Sequence, residues 1–260
     1  MIKISVITIT YNAAAVVGRT LESVFSQTHR AVEHIIVDGA STDQTLTLAF
    51  DYKHRSDVAG CGHEVVITSE PDRGIYDAMN KGLQAAKGDY VVFMNAGDTF
   101  HSSDTLAVIA QSAEQTPRPA VVYGDTDVVD DAGRFLYRRR LSPPESLSWR
   151  SFKHGMLVCH QAFYARTDLA QATPYDLRYR FSADVDWCIR VMKAAEEQQL
   201  SLVNTHQTVA DYQEEGQTTR NHRASLRERF NVMTRHYGLF STLAMHAWFA
   251  VRTLFRNERS

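Results

Sequence analysis

Apolar and polar positions alternate along the first 110 residues in blocks of two lengths. SVITIT (5–10), EHIIVDG (33–39), EVVITS (64–69) and DYVVFMN (89–95) are short β-branched or aromatic runs of strand length. Between them, Val16, Val17, Leu21, Val24 and Phe25 recur at helical spacing. Asp43-Gln44-Thr45 opens a second helix, and residues 75–87 read as a third that Gly88 closes as a C′ glycine. Strands and helices that alternate across short joints predict an α/β fold, an open and mostly parallel central sheet with helices on both faces.

Past residue 110 the pattern loosens. Residues 121–129 and 135–140 bracket Asp130-Asp131-Ala132-Gly133, a hairpin-turn signal, and Arg138-Arg139-Arg140 reads as a solvated strand edge. Residues 184–199 form a helix that begins at Asp184 and Asp186. Residues 221–237 and 239–256 are two amphipathic C-terminal helices separated by Gly238. The expected division is 1–110, a regular α/β half; 111–219, a second half of the same domain; and 220–260, a basic helical tail. His206 belongs to surface packing, and the polar stretch 214–219 is a candidate lid.

With 260 residues, 44% hydrophobic and 22% charged, the chain can bury a large core, which excludes a disordered or fibrous protein. Cys61, Cys159 and Cys188 form no CxxC pair, which argues against a zinc or disulfide framework, and their odd number suits a reducing compartment. The opening residues lack the charged start and apolar core of a secretory leader, so the expected location is cytoplasmic. The net charge of −2 conceals an asymmetry. Residues 220–260 hold eight arginines and two glutamates, a balance of +6 that leaves −8 on the rest.

In an open α/β sheet, ligands bind beyond the carboxyl ends of the strands. Those ends carry Thr10-Tyr11-Asn12, then Asp38 to Asp43 with Ser41 between them. The third and fourth carry Asp72-Arg73-Gly74 and Asn95-Ala96-Gly97-Asp98. Each set alone reads equally well as a cap or turn. Four together point to one crevice. Neither GxGxxG nor GxxxxGK[ST] is present, so dinucleotide and Walker-type sites lack their signatures. A strand-end carboxylate such as Asp98 suits Mg²⁺ or Mn²⁺ shared with phosphate oxygens, which points to a nucleoside diphosphate.

At this level of detail the sequence resembles the inverting glycosyltransferases of family 2, which have the GT-A fold. The carrying blocks are SVITITYN, VDGASTDQT, SEPDRGIYDAMNKG and AAKGDYVVFMNAGD. HQAFY (160–164) and RYRFSADVDWCIR (178–190) are similar to the subgroup that builds bacterial O-antigen, capsule and colanic-acid-like polysaccharides. The resemblance implies that Thr10, Tyr11 and Asp38 hold the nucleotide base and ribose. It makes Asp72, Asp77 and Asn80 donor contacts, Asp98 the metal ligand and Asp184 the catalytic base. His160 and Gln161 would lie near the acceptor or donor-sugar pocket, with Asp186 alongside. Asp186 reads more readily as an orienting partner of Arg190. Two positions depart from the family: Asp38-Gly39 stands where a double Asp is frequent, and Gly97-Asp98 where Asp-Asp is frequent.

The implied reaction moves a sugar from a nucleotide-diphosphate sugar to a glycan hydroxyl, the acceptor being carried on polyprenyl diphosphate. Two other readings stand beside it: a nucleotidyltransferase on a related sheet, and a catalytically silent assembly protein of a polysaccharide complex. The arginines of the tail flank an aromatic-rich apolar segment, which excludes a nucleic-acid module and a membrane span. Membrane-surface contact through 239–256, packing on the catalytic domain and a homodimer interface stay open for that segment.

Overall fold

A computed structural model describes residues 1–214 and 222–257, with side chains over 1–214 and 224–248. The polar stretch read as a lid falls, apart from Glu214, outside the described residues. The first half runs β1 (Ile4–Thr10), α1 (Val17–Phe25), β2 (Val32–Asp38), α2 (Thr45–Ala59), β3 (His63–Ser69), α3 (Ile75–Ala85) and β4 (Tyr90–Phe93). The chain continues through β5 (Thr99–Phe100), α4 (Thr105–Gln115), β6 (Val121–Val129), β7 (Phe135–Arg138), β8 (Phe163–Arg166) and α5 (Thr167–Ala172). It ends with α6 (Ala183–Glu197), β9 (Leu202–Gln213), α7 (His222–Tyr237) and α8 (Leu239–Asn257).

Among the described residues the strands make one sheet in the order β3-β2-β1-β4-β8-β6-β9-β5, with β7 alongside β6. β3, β2, β1 and β4 are all parallel, as the alternation requires. Beyond β4 the sheet is mixed: β8 and β7 run antiparallel to β6, while β9 runs parallel to it. Every residue of β1 and β2 is buried, the mark of strands covered on both faces. Ile36 packs with α1 and α2 on one face, whereas its neighbours Ile35 and Val37 join the larger core with α3 on the other.

Two glycines fix how closely the chain meets β1. A Cβ on Gly82 would lie 2.5 Å from Ile7 Cγ2, so α3 lies close against the sheet there. The third helix ends at Ala85 with Ala86 extended, and Gly88 is not its C′ residue. A Cβ on Gly88 would lie 2.7 Å from the Ser5 backbone nitrogen. Close backbone approach, rather than left-handed geometry, is what this position requires.

The C-terminal helices do different things. α7 packs on α6, and α8 packs on α7 and on the short 3₁₀ helix Trp149–His154. Glu228 of α7 accepts the backbone N–H groups of Arg180, Phe181 and Ser182 at 2.7–3.2 Å, the groups that lead into α6. A distant carboxylate thus supplies the N-terminal satisfaction that α6 needs. Among the described residues no helix is long and apolar enough to cross a membrane.

Candidate active site

The sheet order brings the ends of β1, β2 and β3 together. Asp38, fully buried at the end of β2, accepts hydrogen bonds from Thr10 Oγ1, Ser69 Oγ, and both the backbone N–H and hydroxyl of Ser41. Burial pushes its carboxyl up, but those bonds, led by Ser41, outweigh it and hold the group below its ordinary value. Asp38 therefore holds the loop in place, and the exposed face belongs to its neighbours. Asn12, in the left-handed region at φ 47°, donates its N–H to Ser41 Oγ and accepts from Thr42 N–H through its side chain. Tyr11 is 66% exposed. A Cβ on Gly39 would lie 2.5 Å from Asp72 Oδ2 and 3.3 Å from the Tyr11 ring. Tyr11, Gly39 and Asp72 thus form one shelf, and the absent second Asp of the family pattern would displace Asp72 from it.

The 72–77 segment links this shelf to the other half of the crevice. Asp72 accepts the Gly74 N–H (2.8 Å), and Asp77 accepts from the Arg73 backbone and guanidinium at the start of α3. Tyr76, on the first turn of α3, donates its hydroxyl to Asp184 Oδ1 (3.3 Å). Its ring stacks on Tyr175, which in turn stacks on the buried Trp187. Asn80, expected as a donor contact, directs its amide to the Tyr175 backbone. Its amide bonds both the N–H and the C=O of Tyr175 at 2.8 and 3.0 Å, fixing the aromatic column under Tyr76.

Asp184 lies in the first turn of α6, its side chain 17% exposed. Burial raises its carboxyl, yet His160 and then the charge of Arg229 outweigh this and hold it below the ordinary range. His160 Nδ1 is 3.5 Å from Asp184 Oδ2. The Asn95 amide nitrogen lies 3.0 Å from His160 Nε2; with Nε2 accepting, the ring proton sits on Nδ1, facing the carboxylate. Asp186 points elsewhere. Fully buried, it accepts from Arg190 Nε (2.6 Å) and His236 Nε2 (2.8 Å) and ties α6 to α7, the orienting role toward Arg190 that the sequence suggested.

Asp98 follows a turn in which Gly97 adopts φ 103°. Its Oδ2 accepts from Gln161 Nε2 (2.7 Å) and its Oδ1 from the Gln213 backbone (3.1 Å). Burial is the larger influence and raises this carboxyl above its ordinary value. The turn itself is held by Thr20, whose hydroxyl serves the Gly97 N–H and the Asp98 carbonyl, and by Arg19 on the Gly97 carbonyl. A Cβ on Gly97 would lie 2.2 Å from Gln213 Oε1. Aspartate at this position meets both that contact and left-handed backbone, which explains the single-Asp form. Ala96 completes the turn, half-buried.

One donor per Asp98 oxygen leaves lone pairs free, and Asn95 Oδ1 in the same turn is buried without a partner. An all-oxygen donor set of this kind fits Mg²⁺ or Mn²⁺ completed by phosphate oxygens. A separate group of three potential ligands, His101, Asp127 and Asp211, occurs elsewhere in the described residues, with Asp211 alternating along β9 with Tyr212. Tyr212 feels the charges of Asp98 and Asp184, and burial first, then those charges, push its hydroxyl up to about 12.

Sequence reasoning missed Tyr76, Gln213, Tyr212 and Glu228. Tyr76 lay inside a block read for its carboxylates, and the others come to the site only through strand order and helix packing.

The sequence model of the family described as "Glycosyl transferase family 2" matches residues 5–171. A "PGL/p-HBAD biosynthesis glycosyltransferase" of Mycobacterium tuberculosis (strain ATCC 25177 / H37Ra) is 36% identical over 215 residues, covering 82% of this chain and 77% of that protein. The "Amylovoran biosynthesis glycosyltransferase AmsB" of Erwinia amylovora is 30% identical over 200 residues, covering 74% of this chain and 64% of its own. Among solved structures, S. aureus TarS 1–349 in complex with UDP-GlcNAc superposes with a TM-score of 0.68 at 19% identity. That match covers 89% of this chain and 64% of the TarS chain, so this chain spans less than two thirds of it. A mannosyltransferase, PcManGT from Pyrobaculum calidifontis in complex with GDP-Man and Mn²⁺, gives 0.62 at 17% identity, covering 96% and 75%. At such identities the likeness concerns the fold, and that fold is GT-A.

Proposed function

The chain belongs to glycosyl transferase family 2 and is a glycosyltransferase, and from that premise we propose a single inverting displacement from a nucleotide-diphosphate sugar to a glycan hydroxyl. The observation that carries the reading is the pairing of two carboxylates, Asp98 buried and Asp184 half-buried, through adjacent residues. His160 faces Asp184 while Gln161 holds Asp98. Donor and acceptor chemistry thereby meet at one short helical turn.

In this reading Asp184 accepts the proton of the acceptor hydroxyl as its oxygen bonds to the anomeric carbon. The bond from that carbon to the donor phosphate breaks, and the nucleoside diphosphate leaves with the electron pair. A positioned carboxylate base contributes roughly 10²–10⁴-fold. Tyr76 and His160 restrict the carboxylate from either side, and Asn95 sets the imidazole's orientation. Asp98, with Asn95 Oδ1, would hold the divalent ion, which when bound supplies positive charge beside the leaving phosphate. The Tyr11–Gly39–Asp72 shelf receives base and ribose, with Asp38, Asn12 and Ser41 holding it from beneath.

The relatives' names speak of PGL/p-HBAD and amylovoran biosynthesis, and solved neighbours carry UDP-GlcNAc and GDP-Man. These support a nucleotide-sugar donor and a polysaccharide-related pathway; we extend that reading to a polyprenyl-diphosphate-linked acceptor and the cytoplasmic side of the membrane on the family resemblance alone. Thermal shift against a panel of nucleoside diphosphates, with and without Mn²⁺, tests the donor half. Stabilisation by at least one of them is expected, and indifference to all would refute it. A nucleotidyltransferase would want a basic, Gly-rich loop after β1, where Thr10-Tyr11-Asn12-Ala13 stands.

A further inference from the structure

The first ten residues of α8 divide into two faces. Thr242 is fully buried, Met245 and His246 are half-buried, and the His246 ring lies 5.2 Å from that of Phe230 on α7. The exposed positions are Leu239, Phe240, Leu243, Ala244, Ala247 and Trp248. They recur as adjacent pairs every four residues, which on an α-helix is one continuous stripe. Every member is apolar. Phe240 is 88% exposed and Trp248 57%. The helix is therefore seated on the protein by one side and presents an uncovered apolar side about 14 Å long.

We propose that this stripe docks on an anionic lipid surface, with α8 lying in the headgroup plane. Charge decides the occupant. The segment that bears the stripe has eight arginines against two glutamates, while the remainder of the chain carries −8. A negatively charged bilayer attracts the first and repels the second, which orients the molecule with α8 toward the membrane. A second copy of the chain would set one +6 segment against another. Six side chains, two of them alanines, also fall short of the area a stable dimer buries on each partner, about 800 Å². The inference stands apart from the catalytic reading, since none of its residues touches the site.

The test uses the full chain and vesicles of phosphatidylcholine alone or with roughly 30% phosphatidylglycerol. Cosedimentation and a blue shift of Trp248 emission are expected only with the anionic vesicles, and both weaken as salt rises. Trp248→Phe assigns the shift, because only Trp149 and Trp187 then remain. Phe240→Ser with Leu243→Ser should weaken vesicle binding about tenfold or more while circular dichroism stays unchanged. Equal binding to neutral vesicles, no binding to either, or full binding by the double variant overturns the proposal. So does a dimer in wild type that the double variant abolishes, which assigns the stripe to a second copy. Nucleoside diphosphate binding by the double variant reports separately on the catalytic site and is expected to be unchanged.

Discussion

His160 and Gln161 are consecutive residues, and each engages a different carboxylate: His160 Nδ1 lies 3.5 Å from Asp184 Oδ2, and Gln161 Nε2 donates to Asp98 Oδ2 at 2.7 Å. The two carboxylates are 86 residues apart in sequence. Their separation in space is set by one short turn, Cys159 to Ala162, that is buried on both sides.

Gln161→Ala removes the side-chain donor to a buried carboxylate. The cost is expected to be about 1–3 kcal/mol of stability, read by urea denaturation. A variant as stable as wild type would mean that Asp98 does not depend on this bond.

His160→Ala leaves Asp184 with Tyr76 as its nearer guide. A displaced base typically loses about 10²-fold in turnover. Nucleoside diphosphate affinity is expected to stay within experimental error, because His160 does not touch the Tyr11 shelf. Loss of both together would make the role one of general folding.

Gly97→Asp restores the acidic pair frequent in the family. Here it forces a left-handed φ on a non-glycine residue and meets Gln213. The expectation is a loss of about 1–3 kcal/mol and no gain in Mn²⁺ affinity, read by thermal melting with and without the ion.

How much of this was legible beforehand follows from where the information sits. The β-branched runs identified β1 to β4 and put Asp98 at a strand end and Asp184 at a helix start, because both features are local. The HQ pair was legible as a motif, yet its role was not. Its partners are set by β8 lying between β4 and β6, an order no periodicity encodes. The observed partners of Asn80 and Asp186, Tyr175 and His236, were hidden for the same reason, being 95 and 50 residues away. The mixed second half was harder still, since β8 is four residues and the β6–β9 pairing shifts register around His206, which takes φ 55°. The tail read as one basic appendage is two things, a buttress in α7 and an exposed stripe in α8.

Glu228→Ala tests the buttress. Three backbone N–H groups ahead of α6 lose their acceptor, at an expected cost of about 1–2 kcal/mol. Turnover should fall as well, because the first turn of α6 carries Asp184. Unchanged turnover would detach α7 from catalysis.

His34 supplies a pH dependence outside the site. Buried between Thr8 Oγ1 and Tyr52 Oη, it is driven by burial, with a lesser push from His63, down to about 3. The folded protein keeps it neutral while the unfolded chain protonates near 6.5. Its contribution is thus whole above 6.5 and is lost as pH falls toward 3. Between pH 7 and 5 the loss is about 2 kcal/mol. Denaturation at both pH values should show a smaller drop for His34→Gln than for wild type; an equal drop would assign the dependence to other groups.

The most direct test of the account is Asp184→Asn, which keeps the side chain's shape and removes its basicity. With donor and acceptor identified by a screen of nucleotide sugars, the prediction is unchanged nucleoside diphosphate binding and a turnover reduced by roughly 10²–10⁴-fold. Turnover close to wild type would contradict the assignment of Asp184 as the base.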